Sequence, residues 1–153
     1  MLMALKEAKS AWRSGSGKTD KPWGHEIKWA ALGGVAGKTL FLNKGCRTSL
    51  KYHPLKNEAL FFRAGKAKVM FGDEGTVKNP VLHPYKIGIF KPGDVLNVQS
   101  GCPYRIEALE DCEIIEIGDK NALSAVRLDD DYDRHLASDE KENQSDASDE
   151  EQV

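Results

Sequence analysis

The sequence predicts an all-β domain, a sandwich or a barrel, and three observations carry the prediction. Nine short β-type runs lie between residues 26 and 117, turn residues punctuate them, and no helical pattern intervenes. In chain order, runs 26–32 and 38–43 are separated by Gly33-Gly34. Run 47–53 follows Lys44-Gly45, run 59–63 ends at Ala64-Gly65, and run 67–71 ends before Asp73-Glu74-Gly75. Runs 87–90 and 95–98 are separated by Pro92-Gly93, run 104–107 follows Gly101-Cys102-Pro103, and run 113–117 comes last. Residues 121–128 are expected to close the domain with a helical turn.

A length of 153 residues predicts one domain, 21–133, between an appendage at 1–20 and a tail at 134–153. In the appendage Met1, Leu5, Ala8 and Trp12 fall at the spacing of a short helix. Ser14-Gly15-Ser16-Gly17-Lys18-Thr19 then reads as a flexible linker. The Gly-Lys-Thr ending invites a phosphate-loop reading, but Trp12 stands where the first glycine belongs and no strand precedes it. The tail from Arg134 holds almost nothing to bury and is expected to be disordered, with Ser145 and Ser148 set among acids as candidate kinase sites.

Net charge is −2, but it is unevenly spread. From Asp129 onward there are 11 acidic and 2 basic residues, against 20 basic and 13 acidic in the first 128. A basic body predicts a small anionic ligand as partner, rather than nucleic acid or a membrane. Three cysteines, Cys46, Cys102 and Cys112, show no paired spacing, which predicts free thiols in a reducing compartment. No run approaches the roughly 20 apolar residues of a membrane span, and the apolar start is short for a secretory signal. A soluble, cytoplasmic protein is expected.

Alternation along residues 47–53 sends Arg47, Ser49, Lys51 and His53 to one face and Thr48, Leu50 and Tyr52 to the other. The polar face looks either to solvent or into a barrel mouth where polar groups converge on a ligand. On the next run Glu58, Leu60 and Phe62 share a face, and Tyr104 and Ile106 repeat that mixture. It favours a lumen apolar at depth and polar near its opening. His53 and Glu58, five residues apart across a turn, reach one ion from adjacent strands, and their chemistry suits zinc, manganese or iron.

Gly45 to Gly65, with His53 and Glu58 between, resembles the first motif of the cupins. Gln99-Ser100-Gly101-Cys102-Pro103-Tyr104 resembles a worn second motif that keeps only its glycine. Lys21-Pro22-Trp23-Gly24, Ser49-Leu50-Lys51-Tyr52-His53 and Arg127-Leu128-Asp129-Asp130-Asp131-Tyr132 are similar to small cupins related to type II mannose-6-phosphate isomerase and the C-terminal domain of mannose-1-phosphate guanylyltransferase. The resemblance implies a double-stranded β-helix, or jelly-roll barrel, and a homodimer. It places the four ligand positions on Lys51, His53, Glu58 and Tyr104, of which only His53 and Glu58 are metal donors.

In that family a metal polarises a sugar carbonyl while a base moves a proton. The implied activity is a sugar-phosphate isomerase, with Lys51 replacing the cation, and Glu58 and Tyr104 completing the catalytic set. Arg47, Ser49, Arg63 and Arg105, with Lys44, are the candidate contacts to a sugar phosphate or nucleotide sugar. The alternative is a non-catalytic cupin that binds a small anion or a protein. An iron-dependent dioxygenase needs a second histidine and ranks last. Cys102 is expected to be an ordinary thiol and His83 a loop residue, and the Trp23 ring to pack over a barrel edge.

Overall fold

The computed structural model describes residues 8–120, 124–132 and 134, which carry eleven strands and no helix. One antiparallel sheet runs in the order β1 (Gly17–Lys21), β2 (Gly24–Leu32), β3 (Val35–Leu42), β10 (Cys112–Asp119), β5 (Glu58–Ala64), β8 (Val95–Val98). The other runs β11 (Val126–Asp129), β4 (Leu50–Tyr52), β9 (Tyr104–Ala108), β6 (Ala67–Phe71), β7 (Lys86–Phe90). The sheets face each other as the double-stranded β-helix of a cupin-type jelly roll.

Alternation decides what lies between them. Phe62 and Leu60 on β5, Ile114 on β10, Ile106 on β9, Val69 on β6 and Leu42 on β3 are all at most 1 % exposed and form the deep core. Each such side chain contributes roughly 1.5–3 kcal/mol by leaving water. Trp23 joins this cluster instead of lying over an edge. Two turns admit only glycine. Gly65 has φ +82° and a Cβ there would meet the Asp111 carbonyl at 2.1 Å; Gly24 has φ +151° and would meet that of Phe41 at 1.9 Å.

Three departures from expectation have local causes. Gly17–Lys21, read as the end of a linker and the start of the domain, is β1, because its backbone pairs residue for residue with β2. Residues 126–128, expected within a helical turn over 121–128, lie in β11, whose Val126 and Arg127 pair with Tyr52 and Lys51. Run 47–53 keeps regular pairing only at β4. Ahead of it Thr48 takes over the ladder: its Oγ1 accepts from Ile106 N–H at 3.1 Å and its carbonyl accepts from Arg105 Nε at 2.9 Å. The N-terminal residues 1–7, residues 121–123 and the tail from 135, with Ser145 and Ser148, lie outside the described residues.

Candidate functional site

The inward-facing row of each strand changes character at the same level. On β10 it passes from Ile114 to Glu116, on β5 from Leu60 to Glu58, on β9 from Ile106 to Tyr104, and on β3 from Leu40 to Lys38. Register brings these ends together: Glu116 lies opposite Lys38, and Tyr104 opposite Lys51. Residues directly opposite in an antiparallel pair share a face, so Lys51 points into the lumen, the second of the two directions that alternation left open. Arg127 is opposite Lys51 on its other side, and its Nε and Nη1 are buried.

A chain of charges fills this level. Lys21 Nζ is 3.8 Å from Glu26, and Lys38 is 2.9 Å from Glu26 and 3.7 Å from Glu116. Lys56 bridges Glu116 at 3.6 Å and Glu58 at 3.4 Å. Glu58 Oε1 accepts the Tyr104 hydroxyl at 3.1 Å and lies 3.2 Å from His53 Nε2. Among the described residues Lys51 alone of these lysines has no carboxylate within 4 Å. The loop carrying Lys56 is pinned by Asn57, which donates from its backbone and its Nδ2 to Asp119 and accepts from Ser100 N–H. Gly101 N–H donates to the His53 carbonyl at 2.8 Å, tying the two sequence motifs to one rim.

Glu58 and Glu116 both flank Lys56 and act on each other's titration, and their surroundings decide which of them holds a proton. Burial and the neighbouring Glu116 push Glu58 up to about 7. Burial acts the same way on Glu116, but Lys38 and Lys56 outweigh it and hold that group far below the usual carboxylate range. Glu58 therefore carries the proton. Burial and the ammoniums of Lys51 and Lys56 depress His53 to about 3, so its imidazole is neutral at pH 7, and its buried Nδ1 has no hydrogen-bond partner among the described residues. Burial and the Lys38 charge lower Lys51. Burial, with Glu58, raises Tyr104 well above a free phenol, so the hydroxyl is a donor here and not a phenolate.

Lys51, His53, Glu58 and Tyr104, the four positions that the resemblance grouped, lie at this level. Ser49 is buried on the same strand approach. Three of the arginines lie elsewhere. Arg63 alternates outward on β5 and pairs with Glu113. Arg47 pairs with Asp131, its Nη2 donating at 2.7 Å, and Arg105 is buried against Thr48 and Asp129. Arg47 and Arg105 flank a hollow of about 100 Å³ on the outer face of the five-stranded sheet, away from the lumen. Lys44 is exposed. A second hollow, of about 230 Å³, is lined by none of Lys51, His53, Glu58 and Tyr104. Its walls include Val98 and Phe71, the register partners of Glu58 and Tyr104, and Cys102, whose thiol is raised by burial and the acids Asp73 and Glu74.

Lys38, Glu116, Glu26, Lys56 and Arg127 were not singled out as site residues from sequence. Alternation held the signal for the first two: Lys38 precedes Leu40 and Leu42 by even steps, and Glu116 follows Ile114. Lys56 sits in a loop where no period applies.

The donor set does not fit a divalent metal. An ammonium and a neutral phenol occupy two of the four positions, Lys56 already engages Glu58, and the described residues hold no group of three or more His, Cys, Asp or Glu placed for an ion. Among the described residues no helix is long and apolar enough to cross a membrane.

No family model matches the sequence, and none of the curated proteins compared matches it. Solved structures do. Oxalate decarboxylase from Lactobacillus farciminis, in a formate complex, superposes with TM-score 0.61 at 22 % identity over 74 % of this chain and 34 % of that one. A deletion mutant of the Bacillus subtilis oxalate decarboxylase gives 0.63 at 22 % identity, covering 74 % and 30 %. KdgF from Halomonas sp. gives 0.57 at 16 % identity, covering 69 % and 86 %. The chain spans about a third of the length of the oxalate decarboxylases it matches. Manganese(II) centres are named for the Bacillus subtilis enzyme. At these identities the likeness establishes the cupin-type fold alone.

Proposed function

We propose that the barrel mouth binds a small anionic carbonyl compound of the sugar-phosphate class, using fixed ammonium groups where related folds use a metal ion. The observation that carries this reading is Lys51. Lys21, Lys38 and Lys56 each lie within 4 Å of a glutamate carboxyl, while Lys51 faces the lumen with none within 4 Å among the described residues. An unbalanced, partly buried cation is costly unless an anion reaches it. On a bound sugar, Lys51 would stabilise an oxyanion, and Glu58, poised near neutral pH, would move a proton between neighbouring carbons.

Binding without turnover is the second reading. It is favoured by the occupation of Glu58, which His53, Tyr104 and Lys56 all engage.

Calorimetry on chelator-treated protein, with mannose 6-phosphate, mannose and inorganic phosphate at low salt, tests the proposal. The phosphate ester should bind more tightly than mannose, and Lys51→Met should abolish the difference. Binding seen only after manganese or zinc is added would overturn it. Deuterium uptake at C2 of the bound sugar in D2O separates turnover from binding alone.

A further inference from the structure

The outer face of the six-stranded sheet is apolar where water should meet it. An antiparallel sheet with one face in solvent alternates apolar and polar residues. Here β10 sends Ile115 and Ile117 outward on either side of the inward Glu116, and β5 sends Ala59 and Phe61 outward beside the inward Leu60 and Phe62. Register lines these positions up. Ile27, Thr39, Ile115, Phe61 and Val95 form one row across five strands, and Gly37, Ile117 and Ala59 form the next. Trp29, at a bulge in β2, sets its indole over Gly37, where a Cβ would meet the ring at 2.9 Å, and its Nε1 donates to Thr39 Oγ1 at 3.0 Å. The ring is thereby held against the sheet. Neither row carries a charged side chain; Arg63, paired with Glu113, marks one margin and Asp119 the other.

We propose that a second copy of the chain packs face to face on this band, forming a two-fold dimer. Trp29, Phe61, Val95 and Ile117 are each 41–48 % exposed, and Ile27, Phe41 and Ile115 beside them are half-buried. With about 150–250 Å² for a whole large side chain, the first four present about 350 Å² and the other three bring the band to about 450 Å². A homodimer contact of standard size buries about 800 Å² per partner, about 65 % of it apolar, which is about 500 Å². The band therefore matches the apolar centre of one such contact, and its aromatic content and charged margins match the anatomy of an interface. Its lack of charge favours a copy of itself over the acidic tail or an ionic partner, because either of those would bury charges with nothing opposite them. Two-fold pairing covers the band once and closes, so no apolar surface is left to recruit further copies. The inner faces of β3, β5 and β10 carry Lys38, Glu58 and Glu116, so the contact backs the strands of the charged level without depending on what the mouth binds.

Sedimentation velocity on the full chain tests this, with loading from about 1 to 100 μM to bracket the weak end of what interfaces of this size give. Twice the chain mass is expected at the upper end. Phe61→Arg should raise the dissociation constant about a hundredfold or more, since an isologous contact carries each change twice. Ile87→Arg, at a position 62 % exposed on the outer face of the other sheet, should leave the constant unchanged. Far-UV circular dichroism checks that both variants fold. Hydroxyl-radical footprinting of the parent, normalised to protein in urea, needs no variant. Trp29, Phe61 and Ile117 should be oxidised more slowly at high protein concentration than at low, while Ile87 and Ile89 should not change. A single-chain mass throughout overturns the proposal. If the band is then protected at every concentration, a segment of the chain itself covers it; if it is open, its occupant is a different protein. A dimer that survives Phe61→Arg, that is lost in Ile87→Arg, or that protects Ile87 and Ile89 instead places the contact elsewhere and equally overturns it.

Discussion

Replacing Lys38 by methionine tests the charge network at its centre. The methionine thioether chain fills nearly the volume of the lysine stem, so the change removes a charge without opening a cavity. Lys38 sits 2.9 Å from Glu26 and 3.7 Å from Glu116, both carboxyls being at most 7 % exposed. Breaking a buried ion pair from one side costs about 3–5 kcal/mol, because the abandoned charge stays buried. Here each acid keeps one other cation, Lys21 at 3.8 Å and Lys56 at 3.6 Å, which places the cost at the lower end, about 3 kcal/mol. With a urea dependence of about 1.5–2 kcal/mol per molar, the unfolding midpoint at pH 7 should fall by about 1.5–2 M. Adding Glu26→Gln to Lys38→Met removes one abandoned acid and should recover part of the loss. A midpoint within about 0.3 M of the parent would show that water screens these groups and that the network contributes little.

Two further outcomes follow from the same geometry. His53, depressed from 6.5 to about 3, contributes stability above pH 6.5 that is lost as the pH falls toward 3; Glu58, raised from 4.5 to about 7, contributes stability below pH 4.5 that is lost as the pH rises to 7. The two oppose each other between pH 4.5 and 6.5, so urea stability of the parent should be nearly flat there, falling with rising pH in His53→Gln and falling with acidification in Glu58→Gln; matching slopes in all three proteins would refute the assignment. Arg105 donates to the Thr48 carbonyl and to both the carboxylate and the carbonyl of Asp129, so Arg105→Met should cost about 2–3 kcal/mol. Hydrogen exchange should show the loss concentrated in β11, the strand that sets Arg127 beside Lys51; uniform exchange across the barrel would contradict that coupling.

Local chemistry made much of this protein legible. Turn residues and two-residue alternation marked nine of the eleven strands, because a strand's side chains point by parity alone, and the resemblance to the cupins grouped Lys51, His53, Glu58 and Tyr104. The strand at Gly17–Lys21 was hidden because a Gly-Ser-Lys-Thr stretch has no apolar pattern, and only backbone pairing with β2 gives it form. Residues 126–129 lack a pattern of their own as well, and the neighbouring β4 edge makes them a strand.

The sequence by itself determined the all-β class and its apolar depth, because these depend on residue type and parity within one strand, while the barrel and the mismatch at the ligand positions came from the resemblance to the cupins. Only the tertiary structure decided which charges meet. Lys38, Glu26, Glu116 and Lys56 come from β3, β2, β10 and a loop, and their pairing follows from register between strands distant in the chain. The same register sends Arg47 and Arg63 to outer faces, sets Arg127 opposite Lys51, and leaves Lys51 without a carboxylate within 4 Å among the described residues. Electrostatic energy depends on distance and burial, and neither is written in one strand.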